Sequence, residues 1–322
     1  MRSIIEASWY TRHPLRWLLF PFALIYQAIT GLRRIYLQRF HQHPFSVPII
    51  VVGNITVGGV GKTPLVIALA HQLQARGLRV GIVSRGYGAT VTDFPHEVNV
   101  GEAAAWVGDE PLLVAKKAGC PVVISPDRVQ AVQYLLDKRQ SQVVISDDGL
   151  QHYKMGRAIE IAVIDGLRGL GNGLCLPAGP LREGAKRLQQ VDFVVVNGGS
   201  WPGAYRMDLQ PGAITRLVNG EAIQATDLSQ PSAAVAAIGH PQRFFSTLNT
   251  LGIRFTAYPF ADHHQYQPDE LKLPEKTVVM TEKDAVKCQA FATDDMYFLP
   301  VDAVVYDGFW DALWSHPSLL NN

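Results

Sequence analysis

The run Ile49-Ile-Val-Val52, followed closely by Gly58-Gly-Val-Gly-Lys-Thr63 and then by a helical pattern over 63–76, decides the fold. An apolar strand, a glycine turn and a helix N-terminus, in that order, make a cradle of backbone N–H groups for phosphate oxygens. In such a cradle Lys62 reaches the β- and γ-phosphates and the Thr63 hydroxyl holds Mg²⁺. The usual spacing puts a glycine where this chain has Thr56, but Gly58 and Gly59 still free the loop. Pro64 is tolerated because its missing N–H falls in the first helical turn.

Outward from this loop the chain alternates strand, turn and helix. Strand-like runs are Pro48–Val52, Val80–Ser84, Pro121–Ser125, Val143–Ser146, Ile159–Ile164 and Phe193–Val196. They are rich in Val and Ile and apolar on both faces, as strands of a covered parallel sheet are. Helical stretches at Thr63–Arg76, Asp109–Ala118 and Arg128–Lys138 lie between several of them. The pattern predicts a P-loop NTPase-like, doubly wound, mostly parallel α/β sheet. Near Gly198–Gly203 the composition changes. Beyond it, Ala233–Ile238, Pro241–Leu251, Thr277–Met280, a helix from Glu282, and Met296–Leu299 predict a second, smaller α/β domain. The expected division is 1–45 for an N-terminal helical segment, 46–203 for the P-loop domain and 204–322 for the smaller one with its linker.

Composition agrees with a folded enzyme-sized chain. Its 322 residues are 48% hydrophobic and 18% charged, which excludes disorder, collagen-like repeats and coiled coils. Cys120, Cys175 and Cys288 are far apart and odd in number, so neither a disulfide framework nor a Cys-rich zinc site is expected. Net charge is +1, unevenly spread. Residues 1–43 hold six arginines (Arg2, Arg12, Arg16, Arg33, Arg34, Arg39) against Glu6 alone, while the remainder holds 23 basic and 27 acidic residues. The body therefore does not read as a nucleic-acid binder, and the front end suits an anionic surface. Trp17–Leu32 is uncharged for sixteen residues. As a helix it spans about 24 Å, short of the hydrocarbon core, and Pro21 can bend it. With Trp9, Tyr10, Trp17, Tyr26 and Tyr36 at headgroup-seeking positions, it predicts a membrane-associated helix that dips into one leaflet.

Several clusters carry candidate chemistry. Val143-Val-Ile-Ser-Asp-Asp148 is a buried strand ending in acids, so either Asp147 or Asp148 suits Mg²⁺, directly or through water. Gln151 and His152 follow at once. Ser84-Arg-Gly-Tyr-Gly88, Gly108-Asp-Glu-Pro111 and Leu176-Pro-Ala-Gly-Pro-Leu-Arg-Glu183 are polar, glycine-rich and loop-like. Ligands gather outside the carboxyl ends of strands in open α/β sheets, which makes Arg85 and Arg182 candidate anion clamps. Asp262-His-His264 has too few ligands nearby for a metal but can lend a histidine across a cleft. Thr281-Glu-Lys-Asp284 fits a capping box, with Thr281 as N-cap and Asp284 at N3.

Taken in order, Gly58–Pro64, Ser84–Gly88, Gly108–Pro111, Asp147-Asp-Gly-Leu-Gln-His152, Leu176–Glu183, Asp262–His264 and Thr281–Asp284 resemble the tetraacyldisaccharide 4′-kinases of lipid A biosynthesis. The resemblance runs from the N-terminal helix to at least Asp284. It implies two α/β domains joined by a two-stranded linker, with the active site in the cleft. It implies γ-phosphate transfer from ATP to the 4′-hydroxyl of an acylated disaccharide 1-phosphate, giving lipid IV-A, at the cytoplasmic side of a Gram-negative inner membrane among its phospholipids. By motif position, Asp109 resembles the catalytic base and His263 its partner, and Asp147 and Asp148 match the magnesium acids. Arg182 matches an arginine on a mobile segment, and Thr56, Val57, Gly58, Gly59, Val60, Gly61, Lys62 and Thr63 match the ATP loop. The rival readings are a P-loop regulatory NTPase or metallochaperone at the membrane, and a membrane-bound scaffold with an inactive loop.

Overall fold

A computed structural model describes residues 4–11, 13–306 and 308–320; Arg2 and Arg12 of the basic segment lie outside them. The chain opens with α1 (Ile4–Trp9) and α2 (Leu15–Phe40). Then come β1 (Ile49–Gly53), α3 (Lys62–Ala75), β2 (Val80–Ser84), β3 (His96–Glu97), α4 (Ala104–Val107), α5 (Asp109–Ala118) and β4 (Val122–Ile124). They are followed by α6 (Arg128–Arg139), β5 (Val143–Asp147), β6 (Ile159–Asp165), β7 (Phe193–Asn197) and β8 (Tyr205–Pro211). The smaller unit holds β9 (Ile214–Arg216), β10 (Ala222–Ile223), β11 (Ser232–Ala236), α7 (Pro241–Thr250), β12 (Phe255–Pro259), β13 (Val278–Thr281), α8 (Glu282–Cys288) and β14 (Met296–Leu299). β15 (Val301–Val305), α9 (Phe309–Trp314) and α10 (Pro317–Leu320) end the described chain.

The large sheet has nine strands in the order β15-β8-β7-β6-β1-β5-β2-β4-β3. From β8 to β4 all neighbours are parallel. Every residue of β1, β2, β5 and β6 is buried, which is why their Val/Ile runs show no alternation. Ile50 and Val52 face one layer with Leu65, Leu69, Leu112 and Phe309, whereas Ile49 and Val51 face the other with Leu135, Leu150 and Ala23. Because the strands run in parallel, the ends of β1, β5, β2, β6 and β7 share one edge, and the strand order reverses around β1.

The small sheet runs β10-β9-β14-β13-β11-β12. Its β12, β11, β13 and β14 are parallel. Their carboxyl ends carry residues 237–240, 260–264 and 281–283.

The division expected at residue 203 does not follow the sheets. β8 pairs with β7, and β15 pairs antiparallel with β8, so both belong to the large sheet. These two strands are also the chain's two crossings between the units. Fully buried Phe309 packs on Phe193 at 5.6 Å and on Tyr205 at 5.5 Å, returning the chain end to the large unit.

Residues 33–40 and 15–16 join the uncharged run, so α2 has 26 residues, a length of about 39 Å. It is continuous through Pro21. By length and composition it can cross a membrane. It touches the body mainly through Ala23 and Leu37, while Trp17, Leu18, Phe22, Ile25, Ile29, Leu32 and Ile35 stand exposed. α1 is fastened by Trp9, whose Nε1–H donates to the Pro177 carbonyl at 3.0 Å.

Candidate active site

The carboxyl ends of both sheets open onto one cleft of about 1240 Å³. Its lining includes the loop 57–63, Arg85, Asp147, Asp148, Arg182, His263 and Lys283. At the glycine loop, Gly58 has φ 101° and Gly61 has φ 88°. A Cβ on Gly61 would collide with Asn197 Nδ2, and the positive φ itself favours glycine there. Asn197 in turn donates to the Val60 carbonyl at 2.9 Å. Val57 N–H donates to Pro180 O at 2.8 Å and Arg182 N–H to Ile55 O at 2.7 Å, which ties the loop to the segment carrying Arg182.

Lys62 Nζ donates to Asn54 Oδ1 at 3.1 Å and lies 3.3 Å from Asp148 Oδ1. Arg182 Nη1 lies 3.1 Å from Asp148 Oδ2. Burial works against the Asp148 charge, but Lys62 and Arg182 outweigh it and draw its carboxyl down to about 2. Asp148 holds φ 48°, a left-handed conformation that suits a site whose surroundings fix it. Asp147 is different. It is 4% exposed, its Oδ1 has no partner, and burial with Glu110 nearby pushes it up to about 7. Arg128 donates to the Asp147 carbonyl at 2.8 Å, while its Nε and Nη1 are unpartnered. Burial with Arg128 and Arg85 nearby holds His152 down to about 4, a neutral imidazole at pH 7.

Across the cleft, His263 Nδ1 lies 3.0 Å from Asp109 Oδ2 and 3.2 Å from Oδ1. Asp109 is 3% exposed at the start of α5, and His263 sits at φ 60° in the loop after β12. Burial opposes the Asp109 charge, yet the bond to His263 and the field of Lys283 bring its carboxyl below the usual range. The bond to Asp109 raises His263, against its partial burial. A carboxylate held ionised beside an imidazole can accept a proton from a bound hydroxyl.

Two contributors carry no functional signal in the sequence, Lys283 and Arg243, and the run around Lys283 reads only as a helix cap. Thr281 does accept the Asp284 N–H at 3.2 Å, but Lys283 reaches Glu110 Oε1 at 2.8 Å across the cleft. Asp284 Oδ2 accepts the Thr281 hydroxyl at 2.6 Å and also the Ala237 N–H at 3.0 Å, so it fixes the loop after β11 as well as the cap. Arg243 of α7 donates to Asp165 at 3.0 Å and to the Asn197 carbonyl at 3.2 Å, joining the small unit to the residue behind Gly61. A lone arginine in a helix carries no sequence signal. Among the described residues no cluster of three or more His, Cys, Asp or Glu side chains is placed to hold a metal.

Residues 15–317 match the family model for tetraacyldisaccharide-1-P 4′-kinase, LpxK. The chain belongs to the tetraacyldisaccharide 4′-kinase family. It is 56% identical over 319 residues to the tetraacyldisaccharide 4′-kinase of Legionella pneumophila (strain Lens), covering 99% of both chains. The Aeromonas hydrophila tetraacyldisaccharide 4′-kinase is 46% identical over 316 residues, 96% of this chain and 95% of that one. The structure of Aquifex aeolicus LpxK, described as an "apo" form in complex with ATP, superposes with a TM-score of 0.79 at 28% identity, covering 95% of this chain and 99% of that one. Membership of the tetraacyldisaccharide 4′-kinase family thus extends over both units and α2.

Proposed function

We propose that this cleft transfers the γ-phosphate of ATP to the 4′-hydroxyl of a tetraacylated disaccharide 1-phosphate, forming lipid IV-A. The observation that carries the reading is that His263, bonded to the buried Asp109 carboxylate, lines the same cleft as the glycine loop. The backbone N–H groups of residues 58–63 and the Lys62 ammonium suit the triphosphate, and Arg85 and Arg182 suit charge on the phosphates. The sugar hydroxyl attacks phosphorus, its proton passes to the Asp109 carboxylate, and the bond from phosphorus to the β–γ bridging oxygen breaks. His263, donating from Nδ1, orients Asp109 and shares the charge that develops.

The donor set suits Mg²⁺. Asp147 presents a buried, unpartnered carboxylate oxygen, and Asp148 and the Thr63 hydroxyl complete oxygen-only chemistry beside the phosphate cradle. When bound, Mg²⁺ would neutralise charge on the β- and γ-phosphates.

The exposed apolar side of α2 supports a membrane address, and Arg16, Arg33, Arg34 and Arg39 on the same helix add positive charge suited to an anionic lipid surface. The cytoplasmic face of the inner membrane is the site that supplies ATP beside such a lipid.

The test is acceptor dependence. ATP consumption should be slow alone and rise by orders of magnitude with the acylated disaccharide 1-phosphate. Equal consumption with and without the lipid would favour a regulatory NTPase.

A further inference from the structure

Lys283 sits where the two units meet. Its Nζ lies 2.8 Å from Glu110 Oε1, 3.4 Å from His263 Nε2, 3.7 Å from Asp109 Oδ2 and 3.8 Å from Asp262 Oδ1. The side chain is 16% exposed, so these contacts are made in a largely water-excluded setting. The neighbouring residue, Glu282, reaches the other end of α5, where Lys117 Nζ meets its Oε2 at 2.9 Å. Two consecutive residues of α8 therefore grip opposite ends of the helix that begins with Asp109.

We propose that Lys283 is a positioning residue for phosphoryl transfer: its ammonium donates to His263 Nε2 and fixes the imidazole tautomer whose Nδ1–H points at Asp109. A histidine ring has two nitrogens, and the partner of one decides the proton on the other. An ammonium has donors only. Facing Nε2, it makes that nitrogen the acceptor and leaves Nδ1 as the donor to Asp109. The same positive charge disfavours a second proton on the imidazole and stabilises Asp109 as a carboxylate. The pair is thereby kept ready to take the proton of the acceptor hydroxyl. The other charged or titratable groups facing this cluster are Glu110 on α5, Asp262 beside His263, Lys287 further along α8, and Tyr87, whose ring lies 5.1 Å from that of His263. The inference rests on the reading of Asp109 and His263 as the proton-accepting pair.

The test uses the full chain with its lipid acceptor. Turnover is measured against pH for wild type, Lys283→Met and Lys283→Arg, with Asp109→Asn and His263→Gln as controls. Lys283→Gln replaces the Met variant if that one does not fold. Without the ammonium both members of the pair bind protons more readily. The acid limb of kcat should move up by about one pH unit, so turnover on that limb drops about tenfold, with KM for ATP within about twofold. Lys283→Arg should keep most of the wild-type profile. An unchanged acid limb in the uncharged variant, with only KM or the melting temperature altered, overturns the proposal and leaves Lys283 a clamp between the units. If the Asp109 and His263 controls turn over normally, the proton-accepting reading itself is what fails.

Discussion

His263 Nδ1 lies 3.0 Å from Asp109 Oδ2 although 154 residues separate them: Asp109 opens α5 beside the large sheet, and His263 sits in the loop after β12 of the small one. Their meeting makes the site a property of the closed cleft, which also limits access of water to the phosphate. Asp109→Ala and His263→Ala should each fold, bind ATP and lose most phosphoryl transfer. The double variant should be little worse than the more damaged single one, because the pair acts as a unit. Rates and ATP binding of the three variants check this; losses that multiply in full would show two independent roles.

The same pair predicts a pH-dependent stability. Asp109 lies below its ordinary value, so its contribution is complete above about pH 4 and is lost as the pH falls through the folded value. His263 lies above its ordinary value, so its contribution is complete below about pH 6.5 and is lost as the pH rises through the folded value. The pairing is strongest between these limits. Thermal melts should show a larger gap between wild type and His263→Gln at about pH 5.5 than at about pH 8.5. A gap independent of pH would mean that the bond is not charge-assisted.

Much of this is legible in the amino-acid sequence itself. The fully buried Val/Ile strands and the glycine loop fix the parallel sheet, and the motif order resembles one family throughout. What escaped were half-buried edge elements. β8 alternates apolar Tyr205, Met207 and Leu209 with polar residues, yet it follows a Gly/Pro cluster that reads as a loop, and β15 is shorter still, with five residues. Lys283 escaped for another reason. The same run satisfies a helix cap locally, and only the tertiary fold brings it to Glu110.

At the nucleotide loop, Lys62→Ala removes the ammonium that now pairs with Asp148 and would follow charge onto the phosphates. Thr63→Ala removes the hydroxyl proposed to hold Mg²⁺. Each should lower kcat by orders of magnitude while the melting temperature changes little, because transfer relies on positioning and electrostatics. Near-normal turnover in both would reject this loop as the phosphate site.

Helix α2 makes a separable prediction. Leu18, Ile25, Ile29 and Leu32 are 57–70% exposed, so changing all four to serine should leave the fold intact. Moving one large apolar side chain into hydrocarbon is worth roughly 1.5–3 kcal/mol, against about 1 kcal/mol for each arginine near anionic headgroups. The quadruple variant should therefore shift from the membrane pellet to the soluble fraction. Full retention in the pellet would place the membrane contact elsewhere.

Locating the transferred phosphate decides whether the cleft is a lipid kinase. The chain is incubated with γ-labelled ATP, Mg²⁺ and vesicles carrying the tetraacylated disaccharide 1-phosphate, and the labelled lipid is mapped. The expected product carries the label at the 4′ position and retains its 1-phosphate. Label released as inorganic phosphate, or found at any other position, would contradict the assignment.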